Sequence, residues 1–270
     1  MSPFLKAAVA AAKTAGKIHR QNYGKVRQIR FKSGNQLNLV TEVDGRCEKV
    51  ILGLLKKRFP AHAFWGEEGG GKLDPATYTW IVDPLDGTTN YAHAYPFFCV
   101  SIALVRDGQL RAGVIYDALR DECFTAERGQ GAFLNGRRLR VSKVGVLRQS
   151  LLCTGFAYGV LKTRYNFDNF QNFVLKSQGV RRDGSAAMNL AYVAAGRFEG
   201  FWERGIQAWD MAAGVLLVEE AGGRVTDISG GPFDLLAQNA LASNGLVHSQ
   251  IHRVLWSGKD EKAWVKANRG

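Results

Sequence analysis

One long antiparallel signature in mid-chain constrains the fold most. Between Phe97 and Val141 the chain reads "FCVSIALVRDGQLRAGVIYDALRDECFTAERGQGAFLNGRRLRV". Short apolar runs alternate there with turn residues, and Asp107-Gly108 and Asn135-Gly136 sit where two-residue hairpin turns need positive φ. A parallel doubly wound sheet cannot accommodate such a meander. Helical periodicity lies on both sides of it, without a regular βαβ rhythm. The expected fold class is therefore α+β, with mixed sheets layered against helices.

The flanking elements follow from spacing. Phe4, Ala8, Ala11, Ala12, Ala15 and Ile18 recur at helical intervals and predict a helix over about Pro3–Tyr23. A strand or hairpin then leads to a second helix from about Thr41 to Phe59, with Thr41-x-x-Asp44 as its capping box. "AFWGEE" and "YTWIVDPLD" read as short strands that end in acids. After the meander, "SLLCTGF" is a strand. Helices are expected near Arg164–Ser177, Ala186–Ala195, Asp210–Ala221 and Val247–Leu255, and short strands near Phe198–Trp202, Arg224–Thr226 and Leu241–Ser243. With 270 residues and 46 % apolar composition, one large domain can fill its own core. The expectation is a single domain over 1–270, with halves of about 1–145 and 146–257 and a loose tail over 258–270.

Several function classes are disfavoured. No window reaches the roughly 18 apolar residues of a membrane span, and Lys6 and Lys13 interrupt the first helix, so neither a membrane partner nor a signal peptide is expected. Cys47, Cys99, Cys123 and Cys153 form no C-x-x-C pair; buried free thiols in a reducing cytoplasm are the expectation. His248 and His252 are four apart on a helix, but no third ligand stands nearby. The net charge of +12 comes from scattered basic residues without interleaved aromatics. It reads as a solvated basic surface, or as a steering field for a phosphorylated small molecule, before a nucleic-acid face.

Acids at the ends of elements carry the chemistry. In "WIVDPLDGTTNYAH" an apolar strand is expected to stop at Asp83, because Pro84 cannot donate to a ladder. Asp86 follows across the proline turn. Two converging carboxylates repel unless a cation lies between them, and hard oxygen ligands suit Mg²⁺ or Mn²⁺. Asp83 and Asp86 could equally decorate a β-turn. Further acids at element ends weigh against that: Glu67 and Glu68 after one strand, and Asp210 at a helix start, where it also suits an N-cap. Gly87, Thr88 and Thr89 open a helical turn whose amides can hold a phosphate. "FWGEEGGGKLD" has the G-x-x-x-x-G-K frame of a nucleotide loop, but Leu73 stands where Ser or Thr is required, and two acids inside the loop would repel phosphate. The D-x-x-D-G-T spacing also departs from the D-x-D-G-T of aspartyl-phosphate phosphatases.

These segments, with "LVTEVD", "WGEEGG", "RGQGAFLNGRRLRVS", "GSAAMNLAYVAAGRFEGFWERGIQAWDMAAG" and "EAGGRVTDISGGPFD", resemble the inositol monophosphatases, most closely their bacterial SuhB-type branch. The similarity spans about Leu39–Asp234. It implies a layered αβαβα sandwich of the inositol monophosphatase and fructose-1,6-bisphosphatase type, Mg²⁺ as cofactor and a homodimer. It assigns metal ligation to Glu67, Asp83, the Leu85 carbonyl, Asp86 and Asp210. Glu67 and Thr88 correspond to the pair that activates water, and Asp44 to an acid behind the metals. Asp86, Gly87, Thr88, Gly184, Ser185, Ala186, Glu203 and Asp210 correspond to the substrate contacts. Glu68 is expected beside Glu67, and Gly69–Gly71 are expected to let their loop move over the site. The implied activity is hydrolysis of myo-inositol 1-phosphate. The SuhB-type branch also implies a possible partnership with RNA polymerase and transcription elongation factors in ribosomal RNA synthesis; another sugar or nucleotide phosphate is the remaining alternative. Thr89, where relatives acting on phosphoadenosine phosphates carry Lys, leans toward inositol phosphate. Asp183 is an added acid beside Gly184, expected either to face solvent or to bear on substrate choice. No role is assigned to Lys32.

Overall fold

Successive residues of the buried strands face different apolar cores, three in all, and the cores define the layers. The computed structural model of the chain describes residues 1–26, 28–31, 39–157 and 166–257. Lys32, the expected helix start at Arg164 and the tail over 258–270 lie outside the described residues. The elements run α1 (Pro3–Asn22), β1 (Ile29–Phe31), β2 (Leu39–Thr41), α2 (Glu42–Arg58), β3 (Ala63–Gly66), β4 (Thr79–Asp86), α3 (Thr88–Ala92), β5 (Cys99–Arg106), β6 (Gln109–Asp117), β7 (Glu122–Glu127), β8 (Gly131–Leu134) and β9 (Arg137–Arg138). They continue as β10 (Leu151–Thr154), α4 (Phe167–Lys176), β11 (Gly179–Arg181), α5 (Ala186–Ala194), β12 (Gly200–Arg204), α6 (Ala208–Glu220), β13 (Arg224–Thr226), β14 (Asn239–Ser243) and α7 (His248–Ser257).

Strands β3 to β9 form one sheet in sequence order, and β11-β10-β12-β14-β13 form a second. In the first sheet Trp80, Val82, Val100, Ile102 and Val114 pack with the apolar stripes of α1 and α2. Their neighbours Ile81, Cys99, Ala103 and Ile115 point the other way, into a core shared with α5 and α6. That core also takes Cys153, Phe201, Ala240 and Ala242 from the second sheet. The opposite face of that sheet gives Leu152, Trp202 and Leu241 to a third core with Phe173 of α4 and Ile251 and Leu255 of α7. A strand's period of two therefore yields helices, sheet, helices, sheet, helices. This is the expected αβαβα sandwich.

Local chemistry places the helix starts. Ser2 caps α1, accepting from Leu5 N at 3.2 Å, with Pro3 at the first helical position. Thr41 and Asp44 form the predicted capping box of α2. The meander is as predicted: β5 to β9 pair antiparallel, and positive φ occurs at Asp107, Gly108, Asn135 and Gly136. All four cysteines are buried and free. His248 and His252 do not converge. His248 is held by Thr226 Oγ1 and Ser243 Oγ, while His252 Nε2 meets the Ser229 carbonyl. Among the described residues no helix is long and apolar enough to cross a membrane.

Candidate active site

Strand β4 does not stop at Asp83 as the proline implied; it continues to Asp86. Asp83 pairs with Ser101 and Asp86 with Cys99, so β4 bulges between them. On its other side, pairing with β3 ends at Gly66 and Val82. Pro84 thus sits where no ladder partner awaits its missing N–H. The bulge is fastened from both ends: Leu85 N donates to Asp83 Oδ1 at 2.9 Å, and the Pro84 carbonyl lies 3.0 Å from His19 Nε2. Gly87 follows at φ +95°, and a Cβ there would lie 2.9 Å from the Phe97 carbonyl oxygen, so the turn requires glycine.

Three acids from distant segments converge on this bulge. One ligand atom from each of Asp83, Asp86 and Asp210 lies within 4.8 Å of the others, an arrangement that can hold a metal ion. Asp210 arrives on the first turn of α6. It occupies the third helical position rather than the N-cap, and its Oδ2 accepts from Gln207 N at 2.7 Å. Asp86 Oδ2 accepts from Ser185 Oγ at 2.6 Å and Ala187 N at 2.7 Å, which ties the bulge to the start of α5. Glu67 stands one residue past β3; its backbone N donates to Val82 O at 3.1 Å and its side chain hydrogen-bonds Asp83. Every residue assigned by resemblance, except Asp44, lines one cavity of about 380 Å³. Asp44 sits behind it. Thr88 Oγ1 lies 3.0 Å from both Asp44 Oδ1 and the Leu85 carbonyl, and its single proton serves one at a time. Thr41 N donates to the other Asp44 oxygen at 2.9 Å. Asp44 therefore caps α2 and also accepts from Thr88 at the cavity wall.

Comparison with known proteins fits this geometry. The family model described as "Inositol monophosphatase family" matches residues 1–260. The chain belongs to the inositol monophosphatase family. It is 45 % identical over 251 residues to a Pseudomonas aeruginosa protein named "Nus factor SuhB", covering 90 % of this chain and 92 % of that one. It is 45 % identical over 258 residues to a Synechocystis "Inositol-1-monophosphatase", covering 94 % and 89 %. The solved inositol monophosphatase of Anabaena superposes with a TM-score of 0.86 at 42 % identity, covering 97 % of this chain and 98 % of that one.

In this family member the cation-ready trio is electrostatically strained without a cation. Burial, and then the charges of Glu67, Asp86 and Asp210, hold the Asp83 carboxyl well above the usual range. Burial and the charges of Asp86 and Glu67 do the same to Asp210. Asp86 is pushed up to about 6 by burial, against the pull of its Ser185 and backbone donors. Burial raises Glu203 to about 8, opposed by Arg182. No ion pair among the described residues reaches the trio. Buried carboxylates of this kind, hard oxygen donors lacking a counter-charge, fit a divalent cation of the Mg²⁺ type.

A pH dependence follows. These folded-state pKa values exceed the unfolded ones, so the metal-free fold retains protons that the unfolded chain releases, and stability falls as pH rises. His19 and His248 act oppositely: burial lowers both to about 4, so their penalty appears only as pH falls below about 6.5. Between about pH 6.5 and 8 the acids govern. Each retained proton then costs about 1.4 kcal/mol per pH unit. The melting temperature of chelator-treated protein is expected to fall across that window in scanning calorimetry, and saturating Mg²⁺ is expected to flatten the slope.

The structure adds residues that sequence reasoning missed. Glu48 is buried beneath the Glu67 turn and accepts from Glu68 N at 3.0 Å. Its place one helical turn after Asp44 is the signal that could have found it. Thr154, Phe156, Ile206, Asn189, Trp209 and the basic Arg182 also line the cavity. Trp209 meets Trp65 edge to face at 5.8 Å, joining the strand before Glu67 to the helix of Asp210. Asp183 does not simply face solvent: its Oδ2 is buried without a hydrogen-bond partner among the described residues, and burial raises its pKa. Of the glycines after Glu68, Gly70 and Gly71 take positive φ, and a Cβ at Gly70 would meet nothing within 4 Å. Gly66 N donates to Gly70 O at 2.9 Å, and a Cβ at Gly71 would overlap the Phe64 carbonyl oxygen.

Proposed function

We propose that this chain is a Mg²⁺-dependent phosphatase that hydrolyses myo-inositol 1-phosphate to inositol and phosphate. The observation that carries the reading is the convergence of Asp83, Asp86 and Asp210 beside Glu67 and Thr88 in one cavity. In this reading Glu67, Asp83, the Leu85 carbonyl, Asp86 and Asp210 hold the cation. When bound, Mg²⁺ acidifies water and neutralises charge on phosphate and leaving oxygen.

The chain's own residues do the rest. Glu67 and Thr88 orient a water toward phosphorus, in line with the leaving alcohol. Thr88 Oγ1 accepts its proton while passing its own to Asp44 Oδ1, 3.0 Å away. Burial raises Asp44 to about 6, so it can take that proton near neutral pH and later release it to solvent, while the departing alkoxide takes its proton from a water molecule and leaves as the alcohol. Gly87 and Thr88 face the phosphate. Glu203 with Gly184, Ser185 and Ala186 holds the polyol. Raised to about 8, Glu203 is largely protonated at neutral pH and can donate a hydrogen bond to a substrate hydroxyl. Such positioning and charge stabilisation are what phosphoryl transfer to water requires.

A phosphate-ester panel with Mg²⁺ tests the substrate. The expected result is the highest kcat/KM for myo-inositol 1-phosphate. A preference for a nucleotide phosphate or a sugar bisphosphate would overturn it. A second reading, partnership with transcription machinery, is supported by the relative named "Nus factor SuhB". It expects RNA polymerase or its elongation factors to be retained on the immobilised chain. Their absence counts against it.

A further inference from the structure

The turn that presents Glu67 is shaped around Glu48, which neither the family resemblance nor the proposed mechanism uses. Glu48 lies on α2, four residues after Asp44, so the two acids share one face of that helix. Asp44 reaches Thr88, and Glu48 reaches the neighbouring Glu67 turn. Glu48 is only 6 % exposed, and its Oε1 accepts from Glu68 N at 3.0 Å. The flanking glycines form its berth. A Cβ at Gly66 would overlap Glu48 Oε1, and one at Gly69 would lie 3.0 Å from Oε2.

Gly66 does not have positive φ, unlike Gly70 at +68° and Gly71 at +110°. Its φ does not by itself bar a side chain, so what excludes one there is the carboxylate beneath it. The turn is held by backbone bonds as well: Glu67 N to Val82 O at 3.1 Å and Gly66 N to Gly70 O at 2.9 Å. Those bonds fix the chain on either side of Glu68. The Glu48 bond fixes Glu68 itself, and with it the exit of the Glu67 backbone. Removing this acceptor would leave the Glu68 N–H without its side-chain bond, so the carboxylate anchors the turn.

We propose that Glu48 is a positioning residue. Its carboxylate, berthed between Gly66 and Gly69, sets the turn from which Glu67 faces Asp83, and so tunes both cation affinity and turnover. This deepens the proposed phosphatase function and rests on it for the cation-affinity and turnover arms, while the exchange arm stands without it.

Amide hydrogen exchange tests the anchor independently of activity. In Glu48→Ala, exchange across residues 66–72 is expected to rise about tenfold while the core of β5 and β6 is unchanged. The Mg²⁺ midpoint of thermal stabilisation is expected to rise about threefold to tenfold, and kcat to fall by a similar factor, with KM nearly constant. Glu48→Gln keeps an acceptor oxygen and should restore most of each effect. Gly66→Ala should reproduce the Glu48→Ala behaviour, and the Glu48→Ala/Gly66→Ala double variant should be no worse than Gly66→Ala alone, because both remove one interaction. Unchanged exchange over 66–72, equal acceleration throughout the protein, or additive single effects would each overturn the proposal. If wild-type protein shows no Mg²⁺-dependent turnover, the phosphatase reading fails while the exchange arm still decides the anchor.

Discussion

Asp83→Asn is expected to lower kcat/KM at least about a thousandfold while leaving the protein folded. A thousandfold corresponds to about 4 kcal/mol of transition-state stabilisation, within reach of losing one cation ligand from a site built of few. The amide preserves the local turn, since its oxygen can still accept from Leu85 N, as Asp83 Oδ1 does at 2.9 Å. It also removes the charge that burial and Glu67, Asp86 and Asp210 oppose. The metal-free variant should therefore melt no lower than the wild type near pH 8, and its Mg²⁺-induced rise in melting temperature should shrink. Loss of activity with gain of metal-free stability separates a functional acid from a structural one. Retained activity, or a collapse in melting temperature, would contradict the assignment.

Trp202→Ala should produce the largest stability loss. Trp202 lies in the core between the second sheet and the last helical layer, 1 % exposed, with its ring 4.2 Å from that of Phe173. Deleting a buried indole costs about 3–5 kcal/mol. Its Nε1 also donates to Asn166 Oδ1, and Asn166 in turn donates to Thr154 Oγ1 and the Gly155 carbonyl, each at 2.8 Å. The substitution orphans the buried Asn166 oxygen, which adds a desolvation penalty. Thr154 and Gly155 line the cavity next to Glu203, so KM should rise as well. Urea denaturation should show the lower midpoint. Trp202→Phe should recover much of the packing but not the Asn166 bond.

Much of this was legible in the sequence because it is local. Hairpin turns announce themselves through Asp-Gly and Asn-Gly, and the helix over Pro3–Asn22 through its apolar spacing. Several acids of the site were legible because they lie at or beside element ends, as Glu67, Asp86 and Asp210 do, where packing alone does not call for a carboxylate. Other features depend on what lies across space. Whether β4 survives Pro84 is decided by β3 ending beside Val82, which no local pattern near Pro84 records. Asp210 reads as a helix cap until Gln207 is seen to precede the helix. Strand β11 of three residues falls below the length at which a period of two is visible. Glu48 looks like any solvated helix acid until Gly66 and Gly69 are seen to make room for it. The five layers emerge only once Trp80 and Ile81, or Trp202 and Phe201, are found in different cores.

Phosphate release from myo-inositol 1-phosphate by chelator-stripped protein, before and after adding Mg²⁺, tests the central claim most directly. In the proposed reading the trio of Asp83, Asp86 and Asp210, placed where it can hold a metal ion, acts on phosphate through that cation. Stripped protein should release phosphate at less than about a hundredth of the restored rate, and Mg²⁺ should return full turnover. A stripped protein that turns over as fast as the Mg²⁺-loaded one would contradict the account.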